Sequence, residues 1–95
     1  MLSFTVRMTF DPADRDAVLE LLSSLTPASR AEHGCVSYIP HLVEGEPCTV
    51  LIYEQYRDQA ALDYHRGSPH FHQYAIGGLY QKMKERHLEN LSAVR

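Results

Sequence analysis

Residues 2–10 alternate: Leu2, Phe4, Val6, Met8 and Phe10 fall on one side, Ser3, Thr5, Arg7 and Thr9 on the other. A period of two predicts a strand with one buried face. The polar row is rich in Thr and carries only Arg7 as a charge, so it suits a second packing surface as well as open water. Asp11-Pro12-Ala13-Asp14 then offers a cap, a first-turn proline and acids at the positive end of a helix dipole. Ala17, Leu21, Leu25 and Ala28 recur at helical spacing, with Val18 and Leu22 widening the stripe. The predicted helix covers about 12–32, loosened near its end by Pro27 and stopped by Gly34.

Cys35–Val43 and Thr49–Tyr56 read as strands joined into a hairpin by the turn Glu44-Gly45-Glu46-Pro47. On the second of them Val50, Ile52, Glu54 and Tyr56 share one face, and Leu51, Tyr53 and Gln55 the other. Both faces are too apolar for open water. After a turn at Arg57-Asp58 a short helix is predicted over 58–66. Gly67 is free to take the left-handed conformation that ends a helix, Ser68 to cap the next one, and Pro69 to sit in its first turn. The second piece, 69–80, has a core stripe of Phe71, Ala75 and Leu79, while Gly77-Gly78 permits close packing or fraying. Lys82–Val94 is the last strand, and Lys84 and Arg86 would guard it as an edge.

The order β-α-β-β-α-β predicts an α+β, ferredoxin-like fold: a four-stranded antiparallel sheet with its helices on one face. No element remains to cover the other face. A second copy pressed sheet to sheet is the expected cover, hence a two-fold homodimer.

Ninety-five residues allow one domain, 1–95, with a single core. A hydrophobic content of 44% excludes disorder, and a net charge of −3 with no basic run excludes nucleic acid or an anionic membrane as the main partner. No stretch approaches the ~20 apolar residues of a membrane span and no charged leader opens the chain, so a cytoplasmic location is expected. Cys35 and Cys48 form no C-x-x-C pair and read as reduced thiols on strands. Nucleotide-binding loops, nucleophile elbows and zinc spacings are absent.

Three stretches carry a family resemblance: R-A-E-H-G-C-V-S-Y at 30–38, Y-E-Q-Y-R-D-Q-A-A-L-D-Y-H at 53–65 and S-P-H-F at 68–71. In order and spacing they resemble the antibiotic biosynthesis monooxygenase family, small dimeric α+β barrels that include quinol monooxygenases. The family also holds haem-degrading enzymes and an isomerase of phosphorylated autoinducer-2. The haem-degrading branch is disfavoured, because the first strand has no Asn, His65 falls where that branch has Trp, and Ala75 where it has the ligand His. Trp is absent altogether, and Tyr56 stands where the family often has one.

Chemistry concentrates between Tyr53 and Tyr74. Glu54, drawn to the core side, must be paired or have its pKa raised; it either pins the following helix structurally or works as a functional carboxylate. His65 suits a general base that takes a proton from a phenol, leaving an anion electron-rich enough to reduce dioxygen without metal or flavin. Its structural alternative is a helix-terminal His hydrogen-bonded to Glu54. Tyr56, Tyr38, His70 and Phe71 would shape a flat slot for a small aromatic substrate. His70 and His72 project about 200° apart on a helix, so no metal site is expected from the histidines. His33, His41, His72 and His87 read as surface residues.

The expected function is therefore cofactor-independent oxidation of a quinol or related phenolic compound, with dioxygen as co-substrate, His65 as base and Glu54 orienting it. An isomerase of a small phosphorylated carbonyl compound would use the same pair and needs Arg7, Arg30 or Arg66 turned inward. A non-catalytic binding dimer needs no cavity at all.

Overall fold

The alternation of the first strand survives in three dimensions. In the computed structural model, which describes residues 1–95, Phe4, Val6, Met8 and Phe10 are all buried on one side of β1 (Leu2–Phe10). The four-stranded antiparallel sheet runs β2-β3-β1-β4, with β2 at Cys35–Val43, β3 at Glu46–Tyr56 and β4 at Met83–Leu91. β3 starts three residues earlier than the sequence pattern suggests. The turn is only Glu44-Gly45, because Gly45 takes a left-handed φ of 80° and lets Val43 pair with Glu46 at once. The order leaves β4 as an edge, and Lys84 and Arg86 are exposed on it.

Asp11 accepts from the Ala13 N–H, and a 3-10 turn over Pro12–Asp14 leads into α1 (Arg15–Arg30). The helix continues past Pro27 for only its last turn. Its buried stripe is Val18, Leu22, Leu25 and Ser29 with Thr26; of the expected residues Val18, Leu22 and Leu25 are in it, while Leu21 and Ala28 are half-buried and Ala17 is exposed. The bulkier Val18 and Leu22 decide the rotation, since burying them removes more apolar area from water than burying alanines. In consequence Thr26 and Ser29 lie in the interior with hydroxyls that find no hydrogen-bond partner.

α2 (Gln59–Gly67) is capped by Asp58, whose side chain accepts from the Ala61 N–H. Gly67 does not take the left-handed conformation expected of it; positive φ occurs only at Gly45. The helix instead ends at Ser68, which is extended, with ψ at 153°. The Ser68 hydroxyl donates to the His65 carbonyl at 2.7 Å and accepts from the Phe71 N–H at 3.2 Å, so one side chain closes α2 and opens the next segment. That segment, Phe71–Leu79, is π-helical rather than α-helical, with a single α-turn (α3, Tyr80–Lys82) leading into β4. Ala75 and Leu79 are fully buried as expected and Phe71 is half-buried. At Gly78 the segment lies so near α1 that a Cβ would sit 2.8 Å from Leu21 Cδ2.

Helices cover one sheet face. On the other, Tyr53 pairs across to Thr5 and Ile39, and Leu51 to Arg7 and His41, with Ile39 41% exposed. That face is left uncovered within the chain.

Candidate active site

The strand register decides what surrounds Glu54. It lies opposite Phe4 on one side and Tyr38 on the other, facing the helices. Tyr56, two residues on and on the same face, donates its hydroxyl to Glu54 Oε1 at 2.7 Å. α2 then lowers His65 over the pair, with Nε2 at 3.7 Å from Glu54 Oε1. That spacing is too long for a hydrogen bond and short enough for one water or one substrate oxygen to mediate. The His65 ring is held by aromatic neighbours, with Tyr56 and Phe71 each 5.1 Å away between centroids and Tyr38 5.7 Å away.

Sequence reasoning missed the partner on the other side of the ring. Glu32, in the turn after α1, is buried, and its Oε2 accepts from His65 Nδ1 at 2.8 Å and from His70 Nε2 at 2.5 Å. Gly34 makes this possible. A Cβ there would come within 2.3 Å of Ala61 Cβ, so only glycine lets the turn carrying Glu32 lie directly against α2. Glu32 was visible as the acid two residues before a glycine in the 30–38 stretch, but a charged residue in a connecting turn normally reads as solvated. Its other oxygen, Oε1, is buried without any partner.

With Glu32 accepting from both rings, the His65 proton sits on Nδ1 and its Nε2 lone pair faces Glu54. This tautomer is assigned from the hydrogen-bond pattern. Burial lowers the His65 pKa below its ordinary value, opposed by the bond to Glu32. Burial also raises Glu54 to about 7, opposed by the Tyr56 hydroxyl and by Arg66 and Arg86. Burial pushes the Tyr38 and Tyr56 phenols up as well. Burial thus favours the neutral form of both Glu54 and His65.

A cavity of about 30 Å3 opens where the pair meets, walled by Glu54, His65, Tyr38, Phe71, Arg66 and Arg86 among others. It has room for about two waters, not for an aromatic ring. The flat slot expected for a planar substrate is therefore closed in this conformation. Two of the residues expected to shape it are elsewhere. Tyr56 stands behind Glu54, completely buried, and His70 turns to Glu32. Tyr38 and Phe71 do line the cavity, and Arg66 is the one of the three candidate arginines that reaches it. Arg7 pairs instead with Glu46, and Arg30 donates to the Tyr38 carbonyl. Larger hollows exist, of about 420 Å3 between α1 and β2 and about 470 Å3 over the Gly34 turn. The first has only His41 as a titratable group, and the second reaches the site only through Glu32.

Comparison with known proteins gives this geometry a lineage. The chain is 42% identical over 64 residues to "Putative monooxygenase Rv0793" of Mycobacterium tuberculosis, a match covering 66% of this chain and 61% of that one. It is 33% identical over 67 residues to "Putative monooxygenase YcnE" of Bacillus subtilis, covering 70% of each. The match to an uncharacterized Synechocystis relative takes in 43% of that protein, so the chain spans about half the length of the first relatives it resembles. Among solved structures, one described as an antibiotic biosynthesis monooxygenase superposes with a TM-score of 0.92 at 25% identity, covering both chains completely. The Rv0793 structure superposes at 0.89 with 28% identity, over 99% of this chain and 95% of that one. The family model described as "Antibiotic biosynthesis monooxygenase" matches residues 1–75, a span that contains Glu32, Glu54, His65 and His70. By fold and by sequence, this chain belongs to the antibiotic biosynthesis monooxygenase family.

Proposed function

We propose that the protein is a cofactor-independent monooxygenase that oxidises a quinol or a related phenolic compound with dioxygen. The family and its relatives support a general monooxygenase-like function. What carries the finer reading is the placement of His65, held through Nδ1 by Glu32 while Nε2 faces Glu54 across an aromatic-walled cavity. A carboxylate behind an imidazole fixes its tautomer and stabilises the imidazolium that forms when it takes a proton. His65 Nε2 accepts the proton of a ring hydroxyl, and the phenolate passes one electron to dioxygen. The radical pair combines in a C–O bond, and loss of water leaves one oxygen atom on the ring. The balance is hydroquinone plus dioxygen to hydroxyquinone plus water. Tyr38 and Phe71 contact the ring once the slot opens, and the proton taken by His65 Nε2 goes back from that nitrogen to the oxygen that departs as water.

Oxygen-electrode turnover of hydroquinones by wild type and His65→Ala tests this. The variant is expected to lose about 100-fold or more in rate, within the usual contribution of a general base. Equal rates, with the circular dichroism of the fold retained, would remove His65 from the mechanism.

A second reading has an observation of its own. Arg66 and Arg86 both line the cavity, and their charge suits a phosphate, as an isomerase of a small phosphorylated carbonyl compound would need. Competitive inhibition by simple phosphate monoesters, absent with neutral phenols, would favour it. A purely structural cluster would have Glu54 and His65 fully paired, and the 3.7 Å gap between them counts against that.

The uncovered sheet face supports a homodimer joined sheet to sheet, which light scattering of a dilute solution tests; a monomer refutes it. No helix is long and apolar enough to cross a membrane, and the free thiols Cys35 and Cys48 support a reducing, cytoplasmic setting.

A further inference from the structure

We propose that Glu32, His65 and His70 form a binding site for one divalent transition-metal ion of the zinc or ferrous-iron class, and that occupancy switches the His65 base off. Glu32 Oε2, His65 Nδ1 and His70 Nε2 all lie within 4.8 Å of one another. Two imidazoles and a carboxylate are the donor set such ions take, with a further position left for water. They come from three separate elements, the turn after α1, the last turn of α2 and the residue before the π-helical segment. The sequence argument weighed His72 as a ligand beside His70, whereas in this set the third donor is a carboxylate from outside the segment.

A second observation points to a missing partner. Glu32 Oε1 is buried and accepts nothing, although the side chain is only 3% exposed. Half of a carboxylate's acceptor capacity idle in the interior is costly. An ion bound in bidentate fashion, or a water on that ion, uses it. Metal–ligand distances of ~2.0–2.2 Å place tetrahedral donor atoms ~3.3 Å apart, so Oε2 needs to withdraw from each nitrogen by less than ~1 Å. His65 is fixed by its aromatic neighbours, and the His70 side chain, 19% exposed, leaves the ion a way in from solvent.

The consequence rests on the function proposed above. An ion on Nδ1 takes the place of the proton there, and the neutral imidazole then carries its remaining proton on Nε2. The nitrogen that faces Glu54 changes from acceptor to donor, and the base is lost. Metal-free protein is the active form, and the bound ion is a reversible inhibitor.

The test begins with chelator-treated protein. Cobalt(II) is titrated in while its visible absorption is followed, and zinc binding is measured by calorimetry, for wild type, His70→Ala and the exposed control His72→Ala. One ion per chain is expected for wild type and the control, with binding at least about 10–100-fold weaker in His70→Ala, since even changes around metal ligands cost that much. No binding by wild type, or equal binding by His70→Ala, overturns the site and leaves a hydrogen-bonded triad only. His70 is half-buried at a segment start, so this variant is expected to fold, which its circular dichroism verifies. Quinol turnover is then followed with and without zinc. Inhibition that a chelator reverses supports the switch, and full turnover by zinc-loaded protein overturns it. Stoichiometric metal binding by a protein that oxidises no quinol would sink the proposed function while leaving the site standing.

Discussion

Replacing Gly34 by Ala adds one methyl group at the place where the fold has least room for it. The new Cβ would stand 2.3 Å from Ala61 Cβ and 3.3 Å from Ala61 Cα. Two carbons in contact prefer about 3.5–4.0 Å, so the turn and α2 must separate by more than 1 Å. Neither neighbour is a flexible side-chain tip, and relief has to come from backbone. Overpacking of this kind costs about 1–3 kcal/mol, which for a domain of this size lowers Tm by roughly 5–20 °C. Backbone strain adds nothing, because the φ of Gly34 lies outside the left-handed range. Thermal melts of four proteins separate the contact from other effects: wild type, Gly34→Ala, Ala61→Gly and the double variant. Ala61→Gly costs about 1 kcal/mol through helix propensity alone. The double variant removes the clash and should melt near Ala61→Gly, giving a coupling of about 1–3 kcal/mol. A fully additive cycle, or a Gly34→Ala protein as stable as wild type, would refute the claim that this contact sets the position of Glu32.

Gly78→Ala offers the contrast. Its Cβ would meet only the tip of Leu21, which can rotate away, and the helical propensity of alanine offsets the rest, so the expected change in a chemical melt is under about 1 kcal/mol. Leu25→Ala empties a site only 1% exposed and should cost about 2–5 kcal/mol in the same assay. The Glu54 carboxyl, raised by burial from 4.5 to about 7, binds its proton more tightly in the folded chain than in the unfolded one. Its contribution is therefore complete below the unfolded value and is lost as pH rises from about 4.5 through 7, by on the order of 3 kcal/mol. His65, lowered by burial from 6.5, gives the opposite slope below that pH. The difference between wild type and Glu54→Gln in urea melts from pH 4.5 to 8 isolates the carboxyl, and parallel curves would contradict it. Glu32→Gln keeps the size of the side chain but weakens its hold on the His65 tautomer; quinol turnover should fall by about 10²-fold or more at retained fold, and a wild-type rate would dismiss Glu32 as a positioning residue.

Most of the fold was legible because period and punctuation agree in this chain. The alternation of Leu2–Phe10, the Asp11 cap, the hairpin around Gly45 and the Ser68-Pro69 restart each have a local physical cause, and each is present. The rotation of α1 was not legible from spacing alone, because two overlapping stripes fit the same helix and only residue bulk chooses between them. The π winding of Phe71–Leu79 left no mark in the periodicity, since Phe71, Ala75 and Leu79 suit either helix. At the site, strand alternation was enough to bring Glu54 to the helix side, and helical spacing enough to bring His65 over it. Tyr56 left the cavity wall because its hydroxyl found Glu54, and His70 because it found Glu32. Glu32 itself escaped notice because its burial depends on a contact between elements, Gly34 against Ala61, that no local pattern announces.

One imidazole here answers to two acids in two compartments. The nitrogen on the Glu32 side communicates with the half-buried His70, while the other looks into the small cavity it shares with Glu54. The orientation and proton of that ring are therefore adjustable from the protein's rim without altering a cavity-lining residue. Position 70 is thus where a substitution would reach the His65 ring without entering the cavity.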